Sequence, residues 1–170
     1  MQLNVTKALH APGEEFPFTC SGEVPPTMWD GAEIHFVTAV QVSGIYMAMK
    51  EDVWVRANVT ARLRLTCAAC LADAYHDASA TMDVCFSHEP DPEDPDLFAF
   101  EGHTLQLNDA ALGALWLEMP MRVLCAADCK GLCPHCGENR NQSTCTCQKE
   151  LPAKHPFSAL AALLNQDEEV

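Results

Sequence analysis

The residues best equipped for chemistry in this chain are its cysteines. The chain has ten in 170 residues, and six crowd into "CAADCKGLCPHCGENRNQSTCTC", Cys125 to Cys147. Within it, "CPHCG" places Cys133 and Cys136 two residues apart, a spacing that lets one tight turn aim both sulfurs at a single ion. Gly137 supplies the backbone freedom such a turn needs, and turn amides can bond the thiolates. "CTC" offers Cys145 and Cys147 as a closing pair one loop away. The preferred ligand set is therefore Cys133, Cys136, Cys145 and Cys147, with Cys129 next and Cys125 last. Free buried thiols are the competing explanation, but six soft ligands among Gly and Pro, with few large apolar side chains between them, argue for metal.

The expected ion is zinc, one per chain. A closed four-sulfur site is structural, because a catalytic zinc keeps an open position. The spacing is not that of the common ferredoxin runs. A second pair, Cys67 and Cys70 in "CAAC", stands where a strand enters a turn. It reads either as half of a metal site completed elsewhere or as two packed thiols. A thiol–disulfide or metal-transfer role for this pair comes third, since the surroundings are antiparallel and no activating base stands nearby. Cys20 and Cys85 are isolated and read as ordinary core residues. His135 lies inside the C-x-x-C turn and should point away from an ion; His88, His103 and His155 are loop or cap residues. The chain contains no H-E-x-x-H, no Gly-x-Ser-x-Gly elbow and no phosphate-binding Gly-rich loop, so no enzymatic activity is expected.

These residues need elements to position them. From Val53 to Leu65 every odd residue is apolar and the even positions carry Trp54, Arg56, Asn58, Thr60, Arg62 and Arg64. Period two over that length predicts a long strand with one buried face. The alternation resumes from Ala74 to Phe86, which predicts an antiparallel neighbour joined through "CAACLAD". Residues 33–49 read as one or two strands with a break near Ser43-Gly44, and "QLNVTKAL" as an edge strand. "SHEPDPEDPD", residues 87–96, combines three prolines with five acids and reads as a loop or linker. "LNDAALGALWLEMP" predicts a helix capped by Asn108 or Asp109, with Leu112, Leu115, Trp116 and Met119 at helical spacing and Pro120 as its stop. After the cysteines, "HPFSALAALLN" predicts a short helix with Pro156 in its first turn and a stripe of Phe157, Leu160, Ala161 and Leu164. The expected fold is α+β. An antiparallel β region over 1–101, closing in an acidic linker at 87–101, precedes a 102–170 part of helix, zinc knuckle and C-terminal helix. The two are expected to form one unit.

The formal net charge is −14, from ten Lys and Arg against 24 Asp and Glu. Such a surface repels phosphate backbones and disfavours non-specific nucleic-acid binding. The interval from Pro120 to Lys149 differs: Arg122, Lys130, Arg140 and Lys149 against Asp128 and Glu138 leave +2. Zinc held by four thiolates would cancel that excess, so only individually presented side chains, Lys130, Arg140 and Arg122, are candidate RNA contacts. No apolar run is long enough for a bilayer, and the first residues lack a signal peptide's charged and apolar regions. The expectation is a cytoplasmic protein without a membrane partner, whose thiols stay reduced.

The succession "LTCAACLADAY", an acidic gap, "LNDAALGALWLEMPM", "LCAADCKGLCPHCGENRN…CTC" and "HPFSALAAL" resembles the YceD-type family of bacterial and plastid proteins linked to accumulation of large-subunit ribosomal RNA. The likeness runs from about Leu63 to Leu164, and "CKGLCPHCG" carries most of its specificity. The family usually has Cys-x-Arg-Cys at the first pair, where this chain has Ala69. Some members lack the C-terminal cysteines, which implies that a metal there stabilises the tail. The resemblance implies a non-enzymatic factor in large-subunit (23S) ribosomal RNA maturation or ribosome assembly. The net charge adds a preference: a −14 chain suits a basic large-subunit ribosomal protein or a ribosomal precursor better than bare ribosomal RNA.

Overall fold

The computed structural model describes residues 1–147 except Asp30, Pro92, Pro95 and Thr146. The predicted helix at Pro156–Leu164 lies outside the described residues. Chain packing divides the protein into two compact units, Met1–Cys129 and Lys130–Val170.

The first unit is mostly sheet. In chain order its elements are β1 (Gln2–Asn4), α1 (Thr6–His10), β2 (Glu15–Gly22), β3 (Thr27–Trp29), β4 (Ala32–Phe36) and β5 (Val40–Met49). They continue with β6 (Asp52–Thr66), β7 (Asp73–Ser87), β8 (Leu97–Ala99), β9 (Thr104–Gln106) and α2 (Asn108–Leu117). β6 is the spine. One edge pairs with β5 from Asp52 to Thr60 and then with β4 at Leu63 and Arg64, while β7 pairs antiparallel along the other edge. β2 extends the sheet beyond β5, β3 beyond β4, and β8 beyond β7 as its parallel member. β1 and β9 form a separate antiparallel pair.

The period-two reading of β6 and β7 sets the layering. Val53, Val55, Val59 and Leu63 are fully buried, and Met82, Val84 and Phe86 of β7 join them. α1 packs on β5, and α2 packs on β6 and β7 through Ala110, Ala111 and Leu115. Each large apolar side chain buried in this way contributes about 1.5–3 kcal/mol. Trp116 stacks on Trp29 at 6.4 Å and meets Phe36 at 6.0 Å, so the helix also secures the short β3–β4 hairpin.

The outer face of β6 and β7 is charged in register. Arg56 pairs with Asp83 at 2.9 Å, Arg62 with Asp77 at 3.7 Å and Arg64 with Asp73 at 3.6 Å. Exposed cross-strand pairs of this kind contribute little each, but they fix register against a one-residue slip that would bury charge.

Three expectations change. The break falls at residues 37–39, and Gly44 lies inside β5, opposite Ala57. A Cβ at Gly44 would collide with the Arg56 carbonyl oxygen and the Ala57 backbone, so glycine permits close strand approach there. Only Gln2–Asn4 of the first segment is strand; the chain then turns into α1. At α2, Asn108 is the first helical residue rather than a cap, and its side-chain oxygen accepts from the terminal amine of Met1.

Candidate functional site

Two groups of four cysteines assemble among the described residues: Cys67, Cys70, Cys125 and Cys129 in the first unit, and Cys133, Cys136, Cys145 and Cys147 in the second. Within each group all four sulfurs lie within 4.8 Å of one another. The structure thus brings Cys125 and Cys129, the reserve ligands of the sequence reading, to Cys67 and Cys70. A single four-sulfur site becomes two.

Both groups are built on the same backbone turn. At Cys67 the residue's N–H donates to Ala72 O at 2.8 Å, and Leu71 N–H returns to Cys67 O at 3.0 Å. At Cys133 the N–H donates to Glu138 O at 2.8 Å, and Gly137 N–H returns to Cys133 O at 2.9 Å. The residue after each C-x-x-C is left-handed, with φ 60° at Leu71 and 74° at Gly137. Glycine adopts that region without penalty; leucine does so at a cost of about 1 kcal/mol or more. Leu71 is held there although it is exposed, so the turn is imposed by what it encloses.

Each turn aims amides at its first sulfur. Burial pushes the Cys67 thiol up, but N–H groups of Ala69, Cys70 and Cys125 outweigh it and bring the pKa down to about 6. The amides of Cys136 and His135, with the Cys145 thiol, bring Cys133 down to about 6. Later sulfurs respond in the opposite sense. The Cys70 and Cys129 side chains push Cys125 up to about 12, and the Cys136 side chain, with burial, pushes Cys147 up to about 12. One thiolate per group is thus favoured without a cation, and further thiolates are opposed by their neighbours. A dication reverses that opposition.

The donor chemistry fits a metal ion. Zinc–sulfur bonds of about 2.3 Å place tetrahedral sulfurs about 3.8 Å apart. Cys67 and Cys129 sulfurs stand 3.8 Å apart, and those of Cys70 and Cys125 3.5 Å apart. Both separations far exceed a disulfide bond of about 2.05 Å, and all ten cysteines are free. Four sulfurs would fill a tetrahedral ion's coordination, the closed arrangement of structural sites.

The second halves of the groups are braced locally. Ala68 N–H donates to Val123 O at 2.9 Å, which ties the segment carrying Cys125 and Cys129 to the β6–β7 turn. In the second unit, Lys130 N–H donates to the Asn141 side chain at 2.8 Å and Arg140 N–H to Gly131 O at 3.0 Å. Lys130, His135 and Arg140 line one open cleft of about 640 Å³ beside Cys133, Cys145 and Cys147. Arg122, the third candidate RNA contact, is exposed in the first unit and is not among that cleft's lining residues.

The acidic segment is anchored at both ends. His88 Nδ1 lies 3.0 Å from Phe100 O, and Cys85 N–H donates to Asp96 O at 2.9 Å. β8 and the packing of Phe98 on Phe86 at 5.5 Å then return the chain to the sheet. Glu89, Asp91, Glu93, Asp94 and Asp96 are exposed, and none forms an ion pair among the described residues. Glu51 and Asp52, at the β5–β6 turn, line a hollow with Lys50, Ser87, His88 and Glu89, which places two further carboxylates, and one lysine, at the same end of the sheet. Among the described residues no helix is long and apolar enough to cross a membrane.

Comparison with known proteins adds relatives to this geometry. The chain is 29% identical over 96 residues to an uncharacterized protein of Mycobacterium leprae (strain TN), covering 53% of this chain and 44% of that one. Uncharacterized proteins of Mycobacterium bovis and Mycobacterium tuberculosis (strain H37Rv) match at the same identity, with 46% of each covered. The chain thus spans less than half the length of these relatives. No solved structure matches. The family described as "Large ribosomal RNA subunit accumulation protein YceD" matches residues 55–164, a span that includes both cysteine groups and the acidic segment. That match covers well over half of the chain, and the chain belongs to the YceD family.

Proposed function

We propose that this chain is a non-enzymatic cytoplasmic factor that supports accumulation of large-subunit ribosomal RNA by contacting a basic protein of the assembling ribosome. The observation that carries the reading is the acidic end of the sheet. Five exposed carboxylates between Glu89 and Asp96 have no ion-pair partner among the described residues, on a segment fastened at both ends. Fastened charges lose little conformational freedom on meeting a cationic surface, and their field speeds encounter. Both cysteine groups hold zinc in this reading. Closed sites offer a substrate no open position, which favours scaffold over catalyst, and capture of both sulfurs of Cys67 and Cys70 in such a site leaves them unsuited to thiol–disulfide exchange.

The test is capture of purified basic large-subunit ribosomal proteins and of 23S ribosomal RNA fragments by zinc-loaded chain. Changing Glu89 and Glu93 to Gln and Asp91, Asp94 and Asp96 to Asn should weaken protein capture and leave zinc content and melting unchanged. Stronger RNA capture by the neutralised chain, with protein capture unaltered, would reverse the reading. One observation favours direct RNA contact as the second reading: Lys130, His135 and Arg140 share a cleft, and neither Lys130 nor Arg140 is ion-paired among the described residues. Lys130→Ala with Arg140→Ala would abolish RNA capture in that case.

A further inference from the structure

On the outer face of β6, Arg56, Arg62 and Arg64 are each matched by a carboxylate of β7, whereas Trp54, toward the end that carries the acidic segment, is apolar. Here Met47 of β5 stands directly opposite Trp54 of β6, with Ile45 and Met49 two residues to either side on the same face. Trp54 is 47% exposed and Met49 53% exposed, large values for side chains of this size. A hollow of 140 Å³ opens between them. Its one cation, Arg56, is held by Asp83 through Nε at 3.0 Å and a terminal nitrogen at 2.9 Å.

Carboxylates rim this patch. Glu15 lines the hollow itself, as does Asp83, whose charge Arg56 already meets. Trp54 pairs across the strands with Cys85, whose N–H is held by the Asp96 carbonyl. Asp52 and Asp94 are both near enough to Cys85 that their charges, after burial, help push its thiol up to about 11. The apolar patch and the acidic segment are therefore neighbours on one surface.

We propose that the Met47–Trp54 patch is a docking seat for an amphipathic cationic segment, whose apolar side chain enters the hollow while its Lys or Arg side chains meet the surrounding carboxylates. The proposal rests on the protein-partner reading above and deepens it by naming where apolar contact is made. Charge complementarity selects this occupant. A second copy would bring two −14 chains together along their acidic rims, and a purely apolar partner would leave those rims desolvated and unpaired. Methionine suits such a seat because its flexible, polarizable side chain refits to different apolar groups. An exposed tryptophan supplies the kind of anchor that dominates interface energetics.

The experiment titrates zinc-loaded full chain with two synthetic peptides of equal charge and length, one of Lys and Leu in helical alternation, the other with Ser in place of Leu. The Lys/Leu peptide should bind at least about tenfold more tightly than the Lys/Ser peptide. Trp54→Ser or Met47→Ser should remove that difference while leaving Lys/Ser binding intact. Met49→Ser, at the most exposed position, should reduce the difference with the least risk to folding, and melting curves check all three variants. Equal binding of both peptides by wild type would overturn the docking seat while leaving the charge-based reading in place. If neutralising the five loop acids changes neither affinity, that reading falls too. A wild-type dimer in sedimentation that Trp54→Ser dissolves would also overturn the proposal, since a second copy would then cover the patch.

Discussion

Replacing Cys70 by serine should separate the two four-cysteine groups by their consequences. The Cys70 and Cys125 sulfurs lie 3.5 Å apart and 55 positions apart in sequence. An ion joining them acts as a cross-link, and closing a loop of that length in the unfolded chain is worth about 4 kcal/mol by the chain-entropy relation. For a domain of this size that corresponds to a fall of roughly 8–16 °C in melting temperature. Metal analysis of protein purified under reducing conditions should give two zinc ions per wild-type chain from two four-sulfur groups. Cys70→Ser should retain one. Cys20→Ser, at a half-buried cysteine outside both groups, is the control and should keep both ions. If Cys70→Ser retained both ions, or melted within about 2 °C of the Cys20→Ser control, the assignment of Cys67, Cys70, Cys125 and Cys129 to one centre would be refuted.

Three further outcomes follow from particular positions. Leu63→Ala empties a fully buried site and should cost about 2–5 kcal/mol in denaturant unfolding. Arg62→Ala on the opposite face, half-exposed and paired with Asp77 at 3.7 Å, should cost under about 1 kcal/mol; comparable losses would mean that both faces are packed. Leu71→Gly relieves a left-handed leucine at φ 60° and should raise stability by about 1 kcal/mol with zinc bound, against the usual loss for glycine substitution. Zinc uptake by metal-free chain should slow as pH falls through about 6, because Cys67 and Cys133 have depressed pKa values and their thiolates persist only above that value. Ionisation of a thiol at about 6 drops about tenfold between pH 7 and pH 5, and a stopped-flow rate insensitive to pH over that range would contradict it.

The parts of the fold that could be read in advance were those where one physical constraint dominates. β6 alternates along its whole length and β7 does so except at His76 and Cys85, because one face of each is buried, and no local turn chemistry competes with that signal. β2 was missed: its residues are at most half-buried and it contains Pro17, so its alternation has little contrast. β3, β8 and β9 are three residues each, too short to show a period; β8 and β9 exist by pairing with residues beyond the acidic segment and at the start of the chain. Gly44 was misread as a break because a glycine that permits close strand approach and one that ends a strand look alike in sequence. The second four-cysteine group was legible because C-x-x-C-G and C-x-C lie within one loop. The first was legible only in halves. Leu71 occupies the position where Gly137 advertises the turn, and the C-x-x-x-C half lies beyond the acidic segment and α2. Setting aside Cys20 and Cys85 leaves eight sulfurs, enough for two sites, and that count was the signal available.

Complementation in cells decides whether the acidic end of the sheet or the cationic cleft carries the role. Cells depleted of this protein would be supplied with wild type, with the chain neutralised at Glu89, Asp91, Glu93, Asp94 and Asp96, or with Lys130→Ala and Arg140→Ala combined. The ratio of large- to small-subunit ribosomal RNA is then measured at matched protein levels. The neutralised chain should fail to restore the ratio while the Lys130 and Arg140 variant restores it. Restoration by the neutralised chain together with failure of the Lys130 and Arg140 variant would assign the role to the cationic cleft and overturn the acidic-contact reading.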